Sequence, residues 1–202
     1  MTKHLTIESY IPAAANKKLQ TLLAEHPIEV KVVKKRKSKH GDFRWMPSGT
    51  VQITINEQAN PYRFLITLLH EIAHHLAFKF HGPRIQPHGK EWKQTFRALS
   101  APFLIASIFP QSILSAFAQH LKHPKASSDS DFNLGLALRE YDPFNHKKII
   151  FDLPFGAMFQ LDNGRVFWKG QQRRKRFECR EKGTQKIYLF QPNAEVHYLK
   201  EK

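Results

Sequence analysis

Hydrophobic and polar positions near the start of the chain repeat first with a helical period and then with a strand period. Residues 10–26 (YIPAAANKKLQTLLAEH) carry leucines at helical spacing, which predicts an amphipathic helix. From Ile28 to Val32 apolar residues alternate with charged ones, which predicts a strand running into a basic turn. Residues 50–56 (TVQITIN) alternate more regularly and predict a second strand.

The longest helical pattern follows, and its two ends carry clear signals. Asn60 is a good N-cap, and Pro61 suits the first position of a helix. The helix should run to about His81, where a Gly-Pro pair beginning at Gly82 stops it. After the loop GPRIQP, the segment HGKEWKQTFRALS predicts another helix.

The stretch from Ala98 to Leu121 contains no formally charged residue, so it is long enough to suggest a membrane span. Pro110 and several polar side chains interrupt it. We therefore favour two buried helices broken near Pro110, with the membrane span as the alternative.

The pattern changes again in the last third of the chain. Residues 123–131 (HPKASSDSD) have the composition of a linker, and a short helix is expected over 132–140. From about residue 149, short strand patterns are separated by turns such as the one around Gly164. This predicts a small antiparallel sheet or an open barrel in a chain of α+β class. The expected parts are a first domain over 1–122, a linker with a short helix over 123–148, and a basic β-rich domain over 149–202.

Composition adds a strong charge to this picture. The 202 residues include 41% hydrophobic and 24% charged residues, as in ordinary globular proteins, but the formal net charge is +15. Such a charge suits polyanions, chiefly DNA or RNA, with an anionic membrane surface less favoured. Cys179 is the one cysteine, which excludes an intrachain disulfide and a four-cysteine zinc ribbon. The first residues lack the apolar core of a secretory signal, so a cytoplasmic location is expected, with association with the nucleoid as an option.

The sequence HEIAHH at residues 70–75 indicates a metal site on the long helix. Side chains four residues apart on a helix converge, so His70 and His74 can reach one ion, with Glu71 beside them. This is the arrangement of zinc-binding histidines and a general base found in metallohydrolases. His75 points about 100° away from His74, so we expect it to be a polar residue outside the ligand set.

The third ligand has two candidates, His81 and His88. His81 lies seven residues beyond His74, or about 10.5 Å along a helix, whereas zinc–nitrogen bonds are about 2.1 Å. His88 follows the Gly-Pro break, on a segment that is free to fold back over the helix that carries His70 and His74. We therefore expect His88 to complete the site.

At this point the motifs resemble a known family. HEIAH is followed, fourteen residues after its second histidine, by His88-Gly89-Lys90-Glu91-Trp92. This pair of motifs resembles the SprT-like metalloprotease domain, whose group includes the Spartan proteases that degrade proteins crosslinked to DNA. The helix–strand–strand–helix order ahead of the motifs also fits, so the resemblance covers roughly residues 5–120.

The resemblance implies a zincin-like metalloprotease domain over residues 1–122. His70, His74 and His88 would bind one zinc ion, and Glu71 would be the catalytic carboxylate. Zinc with three protein ligands keeps a position for water, and Glu71 could accept the proton of that water as it attacks an amide carbonyl. Manganese or another transition metal remains open.

The roles of Glu91, of residues 50–56 and of the β-rich tail are less well defined by the sequence. Glu91 could orient the imidazole of His88, although a solvated surface carboxylate is favoured. Residues 50–56 could be an exposed edge strand that pairs with an extended substrate, or equally an internal core strand. Many bacterial members of the family end in a four-cysteine zinc ribbon, whereas this chain has only Cys179, so the β-rich tail would take that place without metal.

Two runs concentrate the positive charge. Residues 31–44 carry seven Lys and Arg against one Asp, and residues 164–186 carry nine against two Glu. In RRKRFECR, alternation places Phe177 and Cys179 on one face and the arginines with Glu178 on the other. Trp45 or Trp168 could stack on bases, although solvated charge and a core tryptophan are the ordinary alternatives. The candidate nucleic-acid contacts are Lys34, Lys35, Arg36, Lys37, Trp45, Arg173, Arg174, Arg176 and Arg180.

These observations together predict a zinc-dependent metallopeptidase of SprT-like type that cleaves DNA-associated or DNA-crosslinked proteins. The expected partners are DNA, single- or double-stranded, and proteins bound to it, with no membrane partner. The sequence gives no indication of the number of subunits. One alternative is a nucleic-acid-binding adaptor whose zinc site is structural. A weaker one is a hydrolase of small peptides whose positive surface serves solubility.

Overall fold

The computed structural model describes residues 6–36, 39–46 and 50–199, except for the side chain of Trp45. The chain forms two compact units, Met1–Pro143 and Phe144–Lys202. The first unit is mixed α+β and the second is built mainly of strands, so the predicted α+β class is confirmed. The first unit contains helices α1 (Asn16–Glu25), α2 (Pro61–His81), α3 (Lys90–Ser100), α4 (Gln111–Lys122) and α5 (Phe132–Arg139), and strands β1 (Ile28–Val33), β2 (Gly41–Trp45) and β3 (Val51–Asn56).

The described strands of the first unit form one three-stranded sheet in the order β1-β3-β2. β3 runs parallel to β1 and antiparallel to β2, and its residues Val51, Ile53 and Ile55 are buried. The expectation that residues 50–56 form an exposed edge is therefore wrong, and the alternative of an internal core strand is confirmed. The reason is that residues 41–45, for which the sequence predicted no strand, form β2 and pair with the second edge of β3.

Helix α2 lies at the centre of the first unit, and its ends follow the predicted signals. The side chain of Asn60 accepts hydrogen bonds from the backbone N–H groups of Tyr62 and Arg63, and Pro61 occupies the first turn. The helix ends before Gly82, which has a φ of 80°. Because most of its apolar residues are buried, α2 contributes much of the hydrophobic core.

The uncharged stretch from Ala98 to Leu121 forms the end of α3, a short 3-10 turn at Ala101–Phe103 and helix α4 after Pro110. Its aromatic residues Phe103, Phe109 and Phe117 are buried. The predicted break near Pro110 and the buried helix after it are confirmed, but residues 104–110 are irregular, so the expected helix before Pro110 is not formed within this stretch. Within the described parts of the chain, no helix combines the length and the apolar character that crossing a bilayer requires.

The segment after α4 folds with the first unit, so the linker predicted over 123–148 and the domain end at residue 122 are wrong, whereas the short helix expected over 132–140 is confirmed as α5. The guanidinium of Arg63, at the start of α2, pairs with Asp129 at 2.8 Å and with Asp142 at 2.7 Å. The side-chain amide of Asn60 donates to the carbonyl of Leu138 at 2.8 Å. Asp129, one of the polar residues that suggested a linker, is thus an ion-pair partner of α2, and the boundary falls after Pro143.

The second unit is a six-stranded sheet with the order β4-β9-β5-β6-β7-β8 and antiparallel neighbours, which confirms the predicted small antiparallel sheet. Its core contains Phe159, Phe167 and Phe177 together with Cys179. Burial raises the pKa of the Cys179 thiol to about 11. The strands are β4 (Lys148–Ile149), β5 (Met158–Gln160), β6 (Val166–Arg173), β7 (Arg176–Glu181), β8 (Ile187–Phe190) and β9 (Glu195–Leu199).

The ion pairs of Arg63 predict a measurable contribution to stability. Asp142→Ala should lower the free energy of unfolding of the first unit by about 2–3 kcal/mol, because a largely buried guanidinium loses one of its two carboxylates. The Arg63 side chain is only 13% exposed. Urea unfolding followed by far-UV circular dichroism measures the change.

The matched control is Glu29→Ala, which removes a carboxylate from an exposed pair with Lys31 in the same unit. It should alter stability by no more than about 0.5 kcal/mol. Equal effects of the two substitutions would contradict a stabilising role for Asp142.

Candidate metal centre

Three histidine rings meet at one point in the first unit. His70 and His74 lie one turn apart on α2, and His88 comes from the loop before α3. The Nε2 atoms of His70 and His74 are 3.1 Å apart, and the Nε2 atom of His88 lies 3.1 Å from the first and 3.0 Å from the second. These three are the described residues whose ligand atoms cluster in a way that could hold a metal ion.

The loop after α2 has the backbone geometry needed to bring His88 back to the helix. His88 has a φ of 59°, in the left-handed region that costs a non-glycine residue free energy and is found where the surrounding structure requires it. A side chain on the next residue, Gly89, would place its Cβ 2.9 Å from the carbonyl oxygen of Gln86. Glycine is therefore needed directly after the third histidine.

Trp92, one turn into α3, packs against all three imidazoles. Its ring centroid lies 4.6 Å from that of His70, 5.2 Å from that of His74 and 4.8 Å from that of His88. It is fully buried and stacks on Phe96 at 5.0 Å. The indole thereby restricts the orientation of each ring and holds α3 against α2.

The chemistry of the three nitrogens fits a shared cation. In a neutral imidazole each ring nitrogen either carries a proton or offers a lone pair, so among three nitrogens in mutual contact at least two are of the same kind and repel. A cation bound by three lone pairs removes this repulsion, and nitrogens about 2.1 Å from one ion can lie at these separations. Imidazole also suits zinc and other transition metals.

The rings are held in the neutral form that a metal ligand needs. Burial, with a smaller contribution from the neighbouring imidazoles, lowers the pKa of His70 to about 2 and that of His74 to about 4. Burial also lowers the pKa of His88. Near neutral pH all three rings therefore offer lone pairs and carry no charge that would repel a cation.

Glu71 follows the first histidine on α2, and its carboxyl group fits into a space that Gly41 leaves open. A Cβ on Gly41 would lie only 2.6 Å from Oε1 of Glu71. Burial, and secondarily the charge of Asp42, raises the pKa of Glu71 to about 7. A cation at the three nitrogens would favour the ionised carboxylate and lower this pKa again.

The histidines and Glu71 open into a cleft of about 460 Å³ within the first unit. Residues 39–42 line one part of the cleft, and residues 126–128, expected to be linker, line another. His120 also lines it, and its Nδ1 lies 3.0 Å from Oδ2 of Asp131. A neutral ring that donates from Nδ1 keeps Nε2 as an acceptor.

Comparison with known proteins agrees with this geometry. The model of the SprT-like family matches residues 11–112, half of the chain, including all of α2 and α3. The chain belongs to the SprT-like family. Curated proteins named Protein SprT from Pseudomonas paraeruginosa and Pseudomonas aeruginosa are 48% identical over 33 residues, which is 16% of this chain and 20% of theirs. The match thus spans about a fifth of the length of these relatives.

Other residues that the sequence placed near the site of this SprT-like protein lie outside the cluster. His75 is buried, with its ring 5.8 Å from that of Phe43, and His81 is exposed at the end of α2. Glu91 is half-buried, and no hydrogen bond joins it to His88 in the described structure. The ring of His88 is therefore restrained by Trp92 and not by the carboxylate of Glu91.

Sequence reasoning missed Gly41, His120 and Asp131. A glycine within a strand marks a close approach of another group, so Gly41 carried a local signal that could have been used. His120 and Asp131 carried none, because their place in the cleft depends on how α4 and the following segment pack. Both belong to the SprT-like unit even though they lie beyond the matched residues.

The basic residue at position 36 has a structural role. The guanidinium of Arg36 donates to Oδ1 of Asn56 at 2.7 Å and to Oγ1 of Thr54 at 2.9 Å, so it is held against β3. Lys34 and Lys35 are exposed. Two other predicted nucleic-acid contacts, Lys37 and the side chain of Trp45, lie outside the described residues.

In the second unit the alternation predicted for RRKRFECR holds only from residue 176 onward. Phe177 is buried and Arg176 and Arg180 are exposed, as predicted. Arg174, with a φ of 51°, lies in the turn between β6 and β7, so its placement on a strand face is wrong. Arg173 forms an ion pair with Glu178 at 2.9 Å.

The convergence of the three nitrogens predicts metal retention. Wild type should bind about one divalent ion tightly, whereas His88→Ala should lower the affinity at least about 100-fold, because one of three ligands is lost. Metal analysis by mass spectrometry after dialysis against a weak chelator measures this.

His81→Ala is the matched control, because it removes the rival candidate from the exposed end of the same helix. This variant should retain as much metal as wild type. Loss of metal from His81→Ala with retention by His88→Ala would refute the assignment.

Proposed function

We propose that the protein is a zinc-dependent metallopeptidase that cleaves proteins bound or crosslinked to DNA. The observation that carries this proposal is a buried carboxyl group, Glu71, beside three converging histidine nitrogens at an open cleft. His70, His74 and His88 would hold the zinc ion. When bound, zinc supplies Lewis acidity toward water and toward a carbonyl oxygen.

Glu71 is suited to the proton transfers of amide hydrolysis. Its carboxylate accepts the proton of the attacking water and then donates it to the departing amine, so no covalent bond to the protein is needed. The space left by Gly41 fixes the carboxyl group at the edge of the cleft. A metal site that only braces the fold would gain nothing from a buried carboxyl group that costs free energy to desolvate.

Strand β2 is the proposed docking strand for the substrate. It is an edge strand of the described three-stranded sheet, and its first residue, Gly41, contacts the space occupied by Glu71. An extended peptide could add to that edge through main-chain hydrogen bonds, which recognise peptides of many sequences. The peptide would then pass between β2 and the wall formed by residues 126–128.

DNA association is proposed from charge. The net charge of +15 favours a polyanion, and the exposed Lys34 and Lys35 lie at the end of β1 in the same unit as the cleft. Binding to DNA would raise the local concentration of proteins attached to it. The cleft would recognise the main chain of many proteins. Binding to DNA would then restrict cleavage to the proteins that lie on the same DNA.

Glu71→Gln tests the catalytic part of the proposal. The substitution keeps the size of the side chain but removes the general base, so proteolysis of an unfolded protein should fall about 10²–10⁴-fold. Bound metal, measured on the same sample, should remain at the wild-type level.

Glu91→Gln is the matched control, because it neutralises a half-buried carboxylate on α3 that makes no bond to His88 in the described structure. It should leave the cleavage rate nearly unchanged. Equal proteolysis by wild type and Glu71→Gln would instead favour an adaptor with a structural metal site.

DNA should accelerate cleavage of a DNA-binding protein, and salt should weaken this effect. Electrophoresis of a purified basic DNA-binding protein, incubated with the enzyme with and without DNA, measures the rates. Stimulation should be strong at low ionic strength and disappear at high salt, because the attraction depends on counterion release. Equal rates with and without DNA at low salt would remove DNA from the proposed function.

A further inference from the structure

The sheet of the second unit has two chemically different faces. One face, with Phe159, Phe167 and Phe177, packs into the core. The residues that alternate with them point the other way, and cross-strand register pairs Trp168 with Arg180 and Arg180 with Ile187. We call the surface formed by Trp168, Glu178, Arg180, Ile187 and Leu189 the outer face.

The outer face exposes apolar side chains that do not serve the core. Ile187 is 57% exposed and Leu189 is 52% exposed, while Trp168 is half-buried. Together with Phe155, which is 73% exposed, part of this face lines a hollow of about 460 Å³. A hollow of this size is in the range of small-ligand sites, and contiguous exposed apolar surface commonly marks an interaction site.

The charge around the outer face favours an anionic ligand. Both carboxylates of residues 164–186 are already neutralised, since Glu178 pairs with Arg173 at 2.9 Å and the buried Glu181 pairs with Arg165 at 2.6 Å. The exposed basic side chains of β7 and its flanking turns have no acidic partner within 4 Å among the described residues. They are Arg174, Lys175, Arg176, Arg180, Lys182 and Lys186.

We propose that the outer face binds single-stranded nucleic acid, with bases against Trp168 and Phe155 and phosphates against the surrounding cations. Bases of a single strand expose their flat faces and stack on aromatic side chains, while a basic surface follows the backbone. In a duplex the flat faces of the bases are stacked on one another, so a duplex would contact only the basic side chains of the protein. The proposal deepens the DNA part of the proposed function and is independent of proteolysis.

An acidic peptide is the competing ligand, and the surface suits it less well. A peptide would use the cations but has no need of a large aromatic surface beside them. The hollow is lined by Trp168, Phe155 and Ile187 together with one exposed arginine, Arg180, and Glu178 in the same lining is already paired with Arg173. Aromatic surface beside exposed positive charge suits a polymer in which each unit carries one base and one phosphate.

Fluorescence anisotropy of the full chain carrying Glu71→Gln tests the proposal. The probes are a labelled single-stranded oligonucleotide, the duplex of the same sequence and an acidic peptide of glutamates. We expect the single strand to bind about tenfold more tightly than the duplex, and Phe155→Ala or Trp168→Ala to weaken the single strand about tenfold while sparing the duplex.

Phe144→Ala is the matched control, because Phe144 is an exposed aromatic residue of the same unit, 87% accessible, outside the hollow. It should change neither affinity. Phe155 is also exposed, so its removal should leave the fold intact, and this variant decides the matter if Trp168→Ala fails to fold.

The outcomes separate this inference from the broader proposal. Equal binding of single strand and duplex, unchanged in the Phe155 and Trp168 variants, would overturn the inference and leave DNA binding in place. Tighter binding of the acidic peptide than of the single strand would overturn it in favour of a protein partner. Absence of any DNA binding at low salt would remove both, whereas the result for Glu71→Gln proteolysis would still stand.

Discussion

The contact between the Trp92 indole and three imidazoles is the constraint on which the rest of the first unit depends. Two histidines on one helical turn can never surround an ion alone, so a separate segment has to supply the third nitrogen. The chain does this by ending α2 at a glycine, turning His88 through the left-handed region and starting α3 immediately afterwards. Trp92 then fixes the spacing of the two helices and the tilt of the rings at once.

The electrostatic state of the site forms a consistent set around that contact. Burial lowers the pKa values of His70 and His74 and raises that of Glu71. Both changes favour the uncharged form of the side chain. Such a group of neutral, desolvated side chains is stabilised by a cation more than by any further protein charge. The same arrangement leaves the carboxyl group beside the cleft, where β2 and residues 126–128 provide the walls.

The features that could be predicted from the sequence are those that depend on residues close together in the chain. The N-cap at Asn60, the stop at Gly82 and the four-residue spacing of His70 and His74 each act within one or two turns of helix. The approach of His88 was also predictable, because helix geometry excluded the alternative, although its role as a ligand stays a prediction. The strand at 41–45 and the pairing of Arg63 with Asp129 and Asp142 were not, since both depend on segments that meet only in the folded unit.

The burial of Cys179 has a practical consequence for following this protein in solution. A thiol with a pKa near 11 inside the core is almost entirely protonated at neutral pH and closed to reagents, and it is the only one in the sequence. A cysteine introduced at an exposed position such as Phe144 would therefore be labelled selectively by a maleimide dye. The natural chain needs no cysteine removal before its two units are tracked by fluorescence.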